Sequence, residues 1–247
     1  MNRMLLWGVT LLVCAFGTAA RCADDKQDLS THYLTLQGSP AVAWLLPAPP
    51  SLGSPDAAYD EFMFFEGQKM QGTKRWDLAR EQATETPQEV HQLFSKVLGI
   101  TISKQNTPDI YKLLMASCND AIKYGTSITK RRYYKRRPFA YFDKHTCRPE
   151  EEASRRNGGS YPSGHTAVGT TVGLLLSEIA PEKRNELMSL AYEFGQSRVI
   201  CGYHWQSDVD NARLMAIYFY SVLHGNKDFI SDLAKAKKEY NSKKTTP

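Results

Sequence analysis

The 247-residue chain is 42% apolar, 11% aromatic and 23% charged, a balance that excludes fibrous and intrinsically disordered classes and provides for a sizeable core. Its 31 Lys and Arg against 26 Asp and Glu give a formal charge of +5. That excess is too small to argue nucleic-acid binding, which needs basic residues gathered on one face.

The chain opens as a secretory signal. Arg3 supplies a positive start, Met4 to Phe16 a short apolar run, and Gly17-Thr18-Ala19-Ala20 a small-residue stretch suited to cleavage near 20–22. Residues 1–22 are therefore assigned to the signal peptide and 23–247 to one domain. The apolar run is short of the ~20 residues a membrane-spanning helix needs. Arg21 before Cys22 does not suit a lipid-attachment cysteine. Val168 to Ala180 carries Thr, Ser and Glu, and Leu214 to Leu223 is too short to span, so a soluble, near-neutral mature chain with no membrane partner is expected. Export permits disulfides. Cys14 lies in the signal; Cys22, Cys118, Cys147 and Cys201 allow one disulfide, its pairing open, and lack the paired spacing of a zinc cluster.

Residues 24–56 are extended and Pro-rich (Leu45-Leu46-Pro47-Ala48-Pro49-Pro50) and read as a strap over the body. Helical spacing follows. One helix is predicted around Phe62, Phe65, Lys69 and Trp76, another over Gln88 to Leu98, and a third over Asp109 to Arg137, stopped by Pro138. Phe139 to Ser160, with Pro149, Gly158 and Gly159, reads as a loop of around twenty residues, a length that suggests function. Helices are then predicted over Gly164 to Ile179, Glu182 to Ile200, His204 to Leu223 and the Lys-rich Asp228 to Tyr240. Period-two Val/Ile/Thr runs are scarce, so the fold class is all-α, a multi-helix bundle.

Chemistry shows where ionisable residues interrupt apolar stripes. On the helix from Glu182, the stripe Leu187, Leu190, Ala191, Phe194 arrives next at Arg198. A buried guanidinium requires an anion, from a carboxylate or a ligand. His204 and Asp208 are four apart, so on one helical face the carboxylate would hold Nδ1–H and leave the Nε2 lone pair free, as a histidine nucleophile needs. Ser163 is a good N-cap, Gly164 lets a ligand approach the first-turn N–H groups, and His165 sits beside any anion bound there. Thr129 to Pro138 (TKRRYYKRRP) holds six cations in ten residues; Lys130 and Arg137, seven apart, would share a helical face and reach inward. Such a run could also be a solvated face or a polyanion site, the latter marked by steep salt dependence. Together these residues form three cations, a helix N-terminus and two imidazoles, the inventory for phosphoryl transfer.

Lys130-x6-Arg137-Pro138, Pro162-Ser163-Gly164-His165 and Ser197-Arg198-x5-His204-x3-Asp208 follow, in order and spacing, the signature of the phosphatidic acid phosphatase type 2 superfamily, which includes the vanadium haloperoxidases. Within it the chain resembles the bacterial class A nonspecific acid phosphatases, on Gly195 to Asp210, Gly159 to Thr166, Arg137 to Phe142 and the Leu45 to Pro50 strap. Ala48 interrupts the family's proline run, the segment from Lys130 to Arg137 is unusually basic, and Cys118 is extra. The resemblance implies an all-α bundle, a periplasmic location, metal independence with no cofactor, and a homodimer acting on small phosphate esters including nucleotides. It implies His204 as nucleophile, His165 as general acid and base and Asp208 as the support of His204. Lys130, Arg137, Ser163, Gly164 and Arg198 would bind the phosphate. An apyrase-like nucleotide phosphohydrolase on the same residues is the alternative; a haloperoxidase would need vanadate and peroxide.

Overall fold

The computed structural model describes residues 32–35, 45–83 and 86–244. The signal segment, Cys22 and most of residues 24–44 of the strap lie outside them. Eleven α-helices, and no strand, occur among the described residues: α1 Pro55–Gln68, α2 Lys74–Glu81, α3 Pro87–Leu98, α4 Pro108–Asp120, α5 Ser127–Arg132, α6 Pro138–Tyr141, α7 Glu152–Arg155, α8 Gly164–Ile179, α9 Arg184–Ile200, α10 Gln206–Leu223 and α11 Lys227–Lys243. The all-α expectation holds.

Helix α8 is the axis of the bundle. Apart from His165 and Glu178 its sequence is apolar or small, and twelve of its sixteen residues are buried, so its neighbours surround it: α9, α10, α4, α3 and α11 all pack on it. Glycine allows the closest approach, since a Cβ on Gly173 would lie 2.6 Å from Ala191 Cβ of α9. The main core joins Phe94, Leu113, Leu175, Leu187, Phe194, Met215 and Phe219.

Several predicted boundaries change. The helix expected around Phe62 to Trp76 is two, separated by a turn in which Gly72 takes φ +78°. The strap ends at Ser54, whose Oγ caps α1 by accepting from the Ala57 N–H at 3.2 Å. Among its described residues Leu46 is buried, Pro47 O accepts from Tyr161 Oη at 2.7 Å, and Asp120 binds His32 Nδ1 at 2.8 Å and the amides of Tyr33 and Leu34. The helix expected to reach Arg137 continues from α4 through a π-helical turn, Ala121–Thr126, into α5 and stops at Arg132; residues 133–137 lie outside any helix, with Arg137 itself extended. The predicted loop Phe139 to Ser160 contains α6, a 3-10 turn at Pro149–Glu151 and α7. A Cys147–Cys201 disulfide, Cα atoms 4.7 Å apart, ties that stretch to the end of α9, reinforced by Cys147 N–H to Cys201 O at 3.1 Å. Among the described residues the buried Cys118 has no disulfide partner.

Candidate active site

Three chain stretches meet at the N-terminal ends of α8 and α10. His204 is not on a helix, as its spacing from Asp208 had suggested; it precedes Trp205, the extended N-cap of α10. The four-residue interval still works, because Asp208 occupies the third helical position and turns back, accepting from the Trp205 N–H at 2.9 Å. Asp208 Oδ2 lies 3.3 Å from His204 Nδ1. Ser160 bridges them, with Oγ donating to Asp208 Oδ2 and lying 3.3 Å from Nδ1.

The opposite ring nitrogen fixes the tautomer. Arg137 Nη1 lies 3.1 Å from His204 Nε2. A guanidinium can only donate, so Nε2 is the acceptor and the proton sits on Nδ1, toward Asp208. His204 is 1% exposed. Burial, then Arg137, Lys130 and Arg198, hold its pKa well below the usual imidazole range, which leaves the neutral form.

Lys130 and Arg137 converge by a different route from the one the sequence suggested. They do not share a helical face; α5 carries Lys130, and non-helical chain brings Arg137 back. Both donate to Gly159 O, at 2.7 and 3.3 Å. Arg198 arrives on α9 as the next member of the buried stripe, 2% exposed, with its Cζ 4.5 Å from the Tyr203 ring centroid. Its Nε and Nη1, and Arg137 Nε, are buried without hydrogen-bond partners among the described residues. Burial, with Arg137 next, pulls Arg198 down to about 9; burial brings Arg137 to about 10 and Lys130 to about 7, the latter with Arg137's charge adding. Three crowded cations, two of which keep buried N–H donors that find no acceptor among the described residues, are suited to an anion.

Ser163 caps α8, its Oγ accepting from Thr166 N–H at 3.3 Å. Gly164 and His165 follow in the first turn. His165 is half-buried and lines a cleft of about 190 Å3 with Arg155, Gly164, Thr126 and apolar Val90 and Val168. A Cβ on Gly164 would meet Thr126 Oγ1 only at 4.0 Å, so the space beside it is open to a ligand.

Three contributors escaped the sequence reading. Ser160 carries no signal beyond preceding the Ser163 cap. Lys135 was one cation among six, yet it turns inward while Arg131, Arg132 and Arg136 are exposed; its Nζ lies 3.2 Å from Asp208 Oδ1. Arg155 sits in the segment predicted as loop, and its charge acts on Lys130, Arg137 and Arg198. Among the described residues no group of three or more His, Cys, Asp or Glu could hold a metal ion.

The PAP2 superfamily model matches residues 111–227. The chain is 42% identical over 198 residues to the non-specific acid phosphatase of Salmonella typhimurium, covering 80% of this chain and 79% of that one. It is 37% identical over 242 residues to the non-specific acid phosphatase of Salmonella typhi, covering 98% and 94%. The non-specific acid phosphatase of Providencia stuartii is 42% identical over 196 residues, 79% of each chain.

Proposed function

The chain belongs to the PAP2 superfamily and, within it, to the class A nonspecific acid phosphatases, a phosphoric monoester hydrolase by family; from that premise we propose that it works through a phosphohistidine on His204. One observation carries this reading: the ring is held as the Nδ1–H tautomer between Asp208 and Arg137, its Nε2 lone pair turned toward the buried cations.

In the first half-reaction Nε2 attacks phosphorus, the P–N bond forms, and the bond to the leaving oxygen breaks as His165 gives that oxygen a proton. In the second, water attacks phosphorus, His165 takes the water proton, and the P–N bond breaks to release phosphate. Lys130, Arg137, Arg198, Ser163 and the Gly164 N–H bind the equatorial oxygens, where charge gathers in the transition state. These cations supply the charge that a metal ion would otherwise provide, so activity is expected to survive a chelator. Rapid acid-sensitive, base-stable labelling of His204 from a labelled ester, lost in His204→Ala, tests the scheme; full hydrolysis by His204→Ala refutes it.

The reading extends to a periplasmic enzyme exported by its first 22 residues, testable by the mass of the secreted chain. It also extends to a homodimer, testable by light scattering. Among the described residues no helix is long and apolar enough to cross a membrane. Nucleotides are included among the substrates on account of Arg155. This half-buried residue shares the His165 cleft, and its guanidinium makes no hydrogen bond or ion pair among the described residues, which favours leaving groups that carry further phosphates, the apyrase-like alternative.

A further inference from the structure

Behind Asp208, on the side away from His204, lies an ion-pair cluster that the phosphatase reaction as described does not use. Lys135 Nζ is 3.2 Å from Asp208 Oδ1, 2.8 Å from Asp60 Oδ2 and 2.8 Å from Ser207 Oγ. Asp60 comes from α1, far away in sequence, and is 2% exposed. It also accepts from the Ser207 N–H at 2.7 Å and from Ser207 Oγ at 2.6 Å, which clamps the first turn of α10. The Lys135 side chain is 14% exposed and its ammonium lies 5.2 Å from the Trp205 ring centroid, on the residue next to His204. Ordering a long lysine stem at so buried a carboxylate is costly unless the geometry is rewarded, and here all three ammonium contacts are polar.

The two oxygens of Asp208 have separate duties. Oδ2 serves His204, Ser160 and the Trp205 amide, whereas Oδ1 faces Lys135. The line of charges therefore runs His204, Asp208, Lys135, Asp60. We propose that Lys135, held by Asp60, is a positioning residue of the phosphatase: it fixes the Asp208 carboxylate and sets how strongly that carboxylate supports positive charge on His204.

This rests on His204 as nucleophile. The groups that face the ring are Asp208 and Ser160 at Nδ1 and Arg137 at Nε2, with Lys130 and Arg198 acting through their fields. Against that fixed surround, the two ends of the clamp must act with opposite sign. Without the Lys135 charge, Asp208 stabilises the imidazolium more, and the neutral nucleophile is lost at a higher pH. Without the Asp60 charge, Lys135 is left to offset Asp208 more fully, and the imidazolium is disfavoured.

The experiment is the pH profile of kcat/KM for p-nitrophenyl phosphate on the full-length enzyme and on Lys135→Met, Lys135→Arg and Asp60→Asn. In Lys135→Met the acid limb should move up by about half to one pH unit, and kcat should fall about 10- to 100-fold while KM changes less than about threefold. Lys135→Arg should restore the limb. Asp60→Asn should move it down. A purely structural clamp would lower the active fraction at every pH and leave the limb in place, so unmoved limbs, or limbs moving the same way in Lys135→Met and Asp60→Asn, overturn the proposal. Should Lys135→Met not fold, the downward shift in Asp60→Asn still decides it. Labelling of His204 in the unaltered enzyme is read in parallel: its absence removes the underlying nucleophile, whereas label with unmoved limbs removes only the role of Lys135.

Discussion

The Ser163 backbone N–H donates to the Asp208 backbone carbonyl at 3.0 Å, joining the helix that carries His165 to the residue that supports His204. Asp208 thus performs two tasks with different parts. Its main chain anchors the first turn of α8, and its side chain orients the imidazole.

Asp208→Asn separates those tasks. The backbone link survives, the anion site stays in place, and the wrong tautomer of His204 becomes available. The expected result is a loss of roughly 10^3- to 10^4-fold in kcat, by analogy with other carboxylate-supported histidines. Inhibition by sulfate should stay within a few-fold. Steady-state kinetics with sulfate as competitor checks both, and a proportional loss of sulfate binding would mean that Asp208 instead builds the anion site.

Lys130 should make anion binding pH-dependent. Burial and Arg137 bring its ammonium to about 7 in the free enzyme, and a bound anion raises it again. A group whose pKa rises on binding contributes fully below its free value, and the contribution fades above it. Sulfate, which keeps its charge throughout, should therefore bind with constant affinity below about pH 7 and weaken above it, by up to about tenfold per unit. Lys130→Met should flatten that dependence. Competitive inhibition measured from pH 5 to 9, a range chosen to bracket the roughly neutral titration, is the check.

Arg155 should discriminate by leaving group. In Arg155→Gln, kcat/KM for ADP is expected to fall about tenfold, the worth of one charge-assisted hydrogen bond. For AMP the fall should stay below about threefold. Equal losses on both would show that Arg155 acts only through the general positive field of the site.

Acid should weaken the fold through His91. The ring is fully buried on α3, neither nitrogen has a hydrogen-bond partner among the described residues, and burial lowers its pKa to about 4. The folded value lies below the unfolded one, so stability is complete above about pH 6.5, drains as pH falls, and levels off below about 4. The whole window represents roughly 3 kcal/mol. His91→Leu should unfold at a higher temperature than the parent at pH 4.5 and gain less at pH 7.5, measured by calorimetry.

Gly173 sets the spacing of α8 and α9. Gly173→Ala forces a Cβ against Ala191 Cβ at 2.6 Å between packed helices, and should destabilise by about 1–3 kcal/mol. Thermal melts check it. An unchanged melt would mean that the helix pair can slide apart without loss.

Much of the site was legible because its residues break a pattern. Arg198 falls where a stripe of Leu187, Ala191 and Phe194 calls for an apolar residue, and a charge in such a place needs a partner wherever the helix goes. His204 and Asp208 were readable as a pair by spacing, although the structure meets that spacing through a helix cap instead of a helical face. The route from Lys130 to Arg137 was not readable. Period alone cannot show that the helix passes through a π-helical turn and stops at Arg132, because packing against α8 and α10 overrides local preference there.

The sequence by itself determined the helical class and the buried position of Arg198, since these follow from periodicity and from the cost of burying charge. Only the tertiary structure decided which side of Asp208 each partner takes, that Cys147 joins Cys201, and that Asp60, Lys135 and Arg155 attend the site. Those contacts link residues up to about 150 positions apart and depend on distances of a few ångströms, which no local rule of spacing encodes.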